Sequence, residues 1–363
     1  MAFEPALPVT ELTQELRLAT TMTGGVSLAI WMAGVAREIN LLAQASQWRR
    51  KGEALPDGHR LSDGSAESLM LYTKLLDLLD TVVDADVLSG TSAGGVNAGL
   101  LAWTRVRGSD LGGLRDIWLN LGALTELLRD PMDKNTPSLL YGDQRMLAEL
   151  AKEIPGLPPG PFPPAAGADP PPTTLYVTTT LLNGETSSFS DSYNTLVQDV
   201  DHRGLFTFTE KELEKQDSDA EDKALALALA LAARSSASFP VAFEPSFVPF
   251  TTGTAEQKDV PARPPMADYA NITRSHWVAD GGLLDNQPID VLLRRIFDRP
   301  AQRAVRRVLL FVVPSSGQSG TVADEPPADD VNDPLGLVDA LLKDLSAVTK
   351  QSIAADLRTI RDH

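Results

Sequence analysis

The sequence predicts an α/β layered domain. Three observations carry that expectation. Two strand–glycine turn–helix units lie near residues 16–42 and 86–106. A Thr-, Tyr- and Val-rich run at residues 174–182 (TLYVTTTLL) reads as a strand. The run at residues 307–313 (RVLLFVV) is continuously apolar after its first residue, as in strands buried on both faces.

In chain order, residues 16–23 (LRLATTMT) are β-rich and run into Gly24-Gly25, followed by an apolar stretch of helical character to about Leu42. Residues 47–68 are polar and glycine-containing, an excursion from the core. A helix over about 66–83 takes its apolar face from Leu69, Leu71, Leu75, Leu76, Leu78 and Leu79. A short strand at 86–89 enters a glycine-flanked turn at 90–95, and an apolar helix continues to about Val106. Residues 111–128 read as helix. Residues 154–173 hold nine prolines and read as a loop or polyproline segment. In residues 223–235 (KALALALALAARS) the leucines alternate as in a strand, but Ala and Leu are the strongest helix formers, so a buried helix is expected. Residues 251–275 read as loop, and 276–279 as a strand ending at Asp280-Gly281-Gly282. One domain is expected over 1–314, with insertions at about 47–68, 154–173 and 251–275. An acidic linker follows at 315–333. An amphipathic helix at 334–363 ends without a capping turn and reads as a piece of a longer chain.

Composition narrows the function. Among 363 residues, 32 Lys and Arg stand against 49 Asp and Glu, a formal charge of −17. A chain this acidic repels phosphate backbones, so no nucleic-acid partner is expected. Any membrane contact should be peripheral and rest on apolar side chains near the site rather than on basic patches. Zero Cys excludes thiolate chemistry and Cys-ligated metal, and four scattered His make a poor metal set; neither cofactor nor metal is expected. The amino terminus carries Glu4 and Glu11 without a basic cluster, unlike a signal peptide. The longest uncharged apolar run, residues 24–36, falls short of the roughly 20 needed to cross a bilayer. The sequence therefore reads as cytoplasmic.

Gly90-Thr91-Ser92-Ala93-Gly94 fits the G-x-S-x-G nucleophile elbow. A serine on a sharp strand-to-helix turn projects its hydroxyl, small neighbours avoid a clash, and the helix N-terminus offers free N–H groups to a developing oxyanion. A plain glycine turn with an inert serine stays open on the motif alone. A phosphate-binding loop is rejected, because Gly94-Gly95 is followed by Val96-Asn97 rather than by Lys.

The nucleophile needs a base. No histidine fits the order Ser, Asp, His that this elbow demands: beyond Asp280 only His363 remains, at the last position. Asp280, ending WVAD before two glycines, is the better candidate, giving a Ser92–Asp280 dyad. An ordinary carboxyl near 3.9 is a weak base for an alcohol, so desolvation has to raise it. An aspartate that merely caps a glycine turn is the competing reading. Gly24, Gly25 and Val26, just after the first strand, are placed to form an oxyanion-binding nest. A dinucleotide fingerprint fails there, since the spacing G-x-G-x-x-G is absent.

Together, TGGVSLA at 23–29, GTSAGG at 90–95 and DGGLLDNQP at 280–288 resemble the patatin-like phospholipase family; RSSASFP at 234–240 and TTLLNGETSSF at 179–189 are similar to further segments of it. The wording GGVSLAIWMAG is closest to a bacterial patatin-related subgroup whose members are often much longer. The resemblance implies a three-layer α/β/α sandwich with a central, mainly parallel sheet. It also implies metal-free hydrolysis of lipid esters, phospholipids included, through an acyl-enzyme on Ser92 with Asp280 as base. One departure stands out. The family loop usually reads G-G-G-x-R/K-G, and here Thr23, Ser27 and Leu28 replace the first glycine, the basic residue and the last glycine. Two further readings use the same residues: an acyltransferase, or a regulatory or interaction module within a longer chain or homo-oligomer that keeps the fold without the activity.

Overall fold

The computed structural model describes residues 9–25, 29–53, 65–122, 124–130, 132, 136–164, 168–190, 195–257, 259–299 and 304–314. The expected linker at 315–333 and helix at 334–363 lie outside the described residues. Among the described residues, seven strands form one sheet. They are β1 (Gln14–Met22), β2 (Thr81–Gly90), β3 (Thr174–Ser190), β4 (Leu196–Thr209), β5 (Ser246–Val248), β6 (His276–Asp280) and β7 (Val305–Val312). The described α-helices are α1 (Ala29–Lys51), α2 (Ser65–Leu78), α3 (Ala93–Arg107), α4 (Leu114–Leu121), α5 (Leu124–Leu127), α6 (Ala148–Glu153), α7 (Glu210–Leu213), α8 (Asp219–Ser236) and α9 (Ile289–Asp298).

The sheet runs β5-β6-β3-β2-β1-β7, with β4 also on β3. Strands β7, β1, β2 and β3 are parallel neighbours, and β4, β5 and β6 add antiparallel pairings. Helices α1, α3 and α8 pack one face around the main core, and α9 packs the other, with Leu292 against Ala19 and Val87. The chain is thus a mixed α/β protein in three layers. Helix α3 is buried nearly all round, which its glycines, alanines and leucines permit. In α8, Leu225, Leu229 and Leu231 are buried, each contributing on the order of 1.5–3 kcal/mol of hydrophobic stabilisation.

Strand β3 organises the site. Strand β4 occupies one of its edges. On the other edge β2 pairs over Thr174 to Val177, and β6, running the opposite way, pairs over Thr179 to Leu181. The ends of β2 and β6 therefore meet head to head: Gly90 lies opposite Val177 and Asp280 opposite Thr179.

Several elements differ from the sequence reading. Helix α1 continues through the polar residues 47–51 because they are satisfied: buried Arg49 donates to the Thr81 carbonyl at 2.8 Å and to Asp80 Oδ1 at 2.5 Å. Helix α2 stops at Leu78, five residues short of the expected end, at a turn where Asp80 takes a φ of 45°. Residues 81–83 belong to β2 instead. Strand β7 is not buried on both faces: it is an edge strand among the described residues, with Arg306 and Val308 exposed.

Candidate active site

The elbow forms because glycine stands wherever backbones touch. A Cβ at Gly90 would lie 2.4 Å from the Gly94 carbonyl oxygen, and one at Gly94 2.1 Å from the Met22 carbonyl oxygen. The Thr91 N–H donates to that Met22 oxygen at 3.1 Å, binding the elbow to the end of β1. Ser92 itself has φ 55° and ψ −127°, a left-handed region that costs a non-glycine residue on the order of 1–3 kcal/mol. The strain turns its side chain back toward β6.

There Ser92 Oγ donates to Asp280 Oδ2 at 2.7 Å. Both residues are buried. Asp280 Oδ1 accepts from the Gly282 N–H at 2.8 Å, and the Asp280 N–H donates to the Ser238 carbonyl at 3.0 Å. Burial pushes the Asp280 carboxyl up to about 6, against the opposing pull of the Ser92 and Gly282 hydrogen bonds and of the Arg234 charge. The carboxylate is thus a stronger base than an exposed aspartate yet largely ionised at neutral pH.

The end of α8 braces both residues. Ser236 Oγ accepts from the Ser92 N–H at 2.7 Å. Arg234, wholly buried, donates to Ser238 Oγ at 2.5 Å and to the Glu244 carbonyl at 2.9 Å, and pairs with Asp143 at 3.2 Å. The segment matched in the sequence only by likeness thus fixes the elbow and the acid together.

Gly24 lies against Ser92: a Cβ there would approach Ser92 Cβ to 3.1 Å. Its N–H donates to Asn286 Oδ1 at 2.9 Å, so this amide anchors the loop to the segment after Asp280. Gly25 abuts Pro314. Val26, with Ser27 and Leu28, lies outside the described residues. The Ala93 N–H, first in α3, has no hydrogen-bond partner among the described residues. Sequence reasoning gave no role to Ser236, Ser238 or Asn286, although all three lie inside the segments RSSASFP and DGGLLDNQP that carry the resemblance.

Ser92 opens into an apolar cavity of about 330 Å³ whose walls include Trp118, Leu121, Met146, Phe239 and Phe243. Neither the proline-rich loop nor residues 251–275 contribute to it among the described residues; the former lines a separate groove with Glu214 and Asp222. His276 is engaged with Glu185 at 2.8 Å and His202 with the Leu181 carbonyl at 2.8 Å, whereas His59 and His363 lie outside the described residues. No group of three or more potential metal-ligating His, Asp or Glu occurs among the described residues.

A family model described as patatin-like phospholipase matches residues 21–293. The chain belongs to the patatin-like phospholipase family. The matched span holds β2 to β6, the last two residues of β1, and both Ser92 and Asp280. Over 366 aligned positions the chain is 69% identical to a Mycobacterium tuberculosis (strain ATCC 25618 / H37Rv) protein named "Uncharacterized membrane protein Rv3479". The alignment takes in 100% of this chain and 33% of that relative, so the chain spans about a third of its length. Among the described residues no helix is long and apolar enough to cross a membrane. Within this patatin-like domain, the hydroxyl, the buried acid and the apolar cavity adjoin one another, a combination suited to attack on an ester whose acyl chain is shielded from water.

Proposed function

We propose that this chain is the catalytic domain of a lipid acyl hydrolase of phospholipase A type, a serine esterase without a catalytic histidine. The observation that carries the reading is the 2.7 Å hydrogen bond from Ser92 Oγ to Asp280 Oδ2 at the floor of an apolar cavity.

In this reading the acyl chain occupies the cavity and the ester carbonyl carbon sits above Ser92. Oγ attacks it as its proton passes to Asp280 Oδ2, so that the hydroxyl never has to ionise fully. The oxyanion is met by main-chain donors: the Ala93 N–H and the loop of Gly24, Gly25 and Val26, in which Gly24 serves as anchor through Asn286. Collapse breaks the ester C–O bond, and Asp280 returns the proton to the departing alcohol oxygen. Water then attacks the acyl-enzyme, Asp280 takes its proton, and release of the fatty acid restores the Ser92 hydroxyl. No step asks for a metal or cofactor. The same intermediate passes its acyl group to a lipid alcohol where that alcohol replaces water, which is the acyltransferase variant.

Purified protein should label with an active-site fluorophosphonate and cleave a short-chain nitrophenyl ester, and Ser92→Ala should abolish both. A folded wild-type protein that does neither would favour the interaction-module reading. Product analysis with added lipid alcohols separates hydrolysis from transfer.

A further inference from the structure

The Ser92 cavity is bordered on one side by a rim of short backbone bridges. Leu128 pairs with Leu140, Leu140 pairs with Phe243, and the Leu139 N–H donates to the Val241 carbonyl. Leu127, Leu140 and Ala242 line the cavity. Their neighbours Leu128, Leu139 and Val241 stand 53%, 60% and 47% exposed. Ile30 both lines the cavity and reaches solvent.

Two further observations single out this lip. Val241 has a φ of 71°, a conformation that a β-branched residue rarely adopts and that places strain at the mouth. The cation of the lip is already committed: Arg129 pairs with Glu244 at 2.9 Å and lies over the Tyr141 ring at 4.3 Å. An apolar edge continuous with an acyl-sized cavity, on segments that carry no unpaired cation among the described residues and on a chain of charge −17, suits uncharged lipid.

We propose that Leu128, Leu139 and Val241 form a lipid-docking lip that seats the molecule on a zwitterionic or uncharged bilayer with the Ser92 cavity opening toward the acyl chains. The lip deepens the hydrolase reading and rests on it for its purpose, but not for its measurement. None of the three side chains lines the cavity, so soluble substrate should be indifferent to them.

The test is flotation of the full chain with phosphatidylcholine vesicles and with phosphatidylcholine–phosphatidylglycerol vesicles, at low and high salt. Soluble-ester hydrolysis, thermal melting and light scattering are followed in parallel. Wild type should float with both vesicles, undiminished by salt. L128D/L139D should lose flotation by roughly tenfold or more, since each buried leucine carries about that factor, while ester turnover and melting stay unchanged. Val241→Asn is the second variant. Asparagine tolerates a positive φ, so flotation should weaken while melting holds or rises. The proposal is overturned if wild type floats with neither vesicle, if it needs the anionic lipid and is released by salt, or if the variants float like wild type. It is also overturned if the substitutions instead dissolve a self-associated species, which would give the lip to a second copy. Flotation without ester turnover in the wild type would sink the hydrolase reading and leave the lip standing.

Discussion

Asp280→Asn separates chemistry from stability. Ionising the Asp280 carboxyl in the fold is harder than in the unfolded chain, because burial raises it from 3.8 to about 6. The difference corresponds to roughly 3 kcal/mol. Below pH 3.8 both states are protonated and the penalty is absent; between the two values the folded state holds the proton more tightly, so stability falls as pH rises; above about 6 the full penalty applies. Asparagine keeps the shape and one acceptor, its Oδ1 toward the Gly282 N–H, while its Nδ2 donates to Ser92 Oγ where the acid had accepted, and it carries no charge. Asp280→Asn should therefore be more stable than wild type by roughly 3 kcal/mol at pH 8, about 4 °C in melting temperature for 363 residues, and should be inactive. The advantage should shrink toward pH 4. Only the pH-dependent part of the gap belongs to the carboxyl, because any difference in packing is constant with pH. Chemical denaturation of both proteins across that range measures it. A gap that is flat with pH, or a variant less stable than wild type only at high pH, would refute the reasoning.

Further outcomes follow from the same geometry. The kcat/KM for a soluble ester should fall with the slope of one proton as pH drops through about 6, since the base must be unprotonated. Gly94→Ala sets a methyl against the Met22 carbonyl and should cost on the order of 1–3 kcal/mol in denaturant melts while abolishing fluorophosphonate labelling. Ser236→Ala leaves the buried Ser92 N–H without its acceptor; a loss of roughly 1–3 kcal/mol and a lower kcat at unchanged KM are expected. Arg234→Met removes one of two guanidinium partners from each of Asp143 and Glu244, which keep Arg263 and Arg129; it should cost about 1–3 kcal/mol and move the acid limb of the rate profile to higher pH by removing a cation that favours ionised Asp280.

The elbow was legible because its composition is local: Gly90 answers to Gly94 four residues on, whereas the close approach of Gly94 to the Met22 carbonyl at the end of β1 was not readable from the sequence. The two strand–turn–helix units and the alanine–leucine helix were legible for the same reason, a period and a composition that agree. Strand β4 was not, because much of it faces solvent and carries Asp199, Asp201 and Arg203 where an alternating strand would show apolar residues. Helix α9 did offer Ile289, Leu292 and Ile296 at helical spacing, but Pro288 and Pro300 crowd its ends. The break between α2 and β2 carried no glycine; the turn depends on Asp80 being held by Arg49 and Thr13, contacts remote in sequence. Asp280 was legible as a residue but not as a neighbour: nothing local dictates that β6 runs against β3 and ends facing β2. Ser236 and Asn286 matter only once those three segments have met.

Strand β3 contributes no reacting group, yet it works as the molecule's ruler. The spacing between the ends of β2 and β6, and so between Ser92 and Asp280, follows the two-residue step from Val177 to Thr179, and a pleated strand admits no intermediate setting. Deleting the one residue within that step, Thr178, would shift β6 by a residue against β2 and remove the hydroxyl that Thr91 of the elbow meets at 2.6 Å. Tuning of this centre by substitution is therefore confined to the loops and the end of α8, since the measuring strand moves only in whole residues.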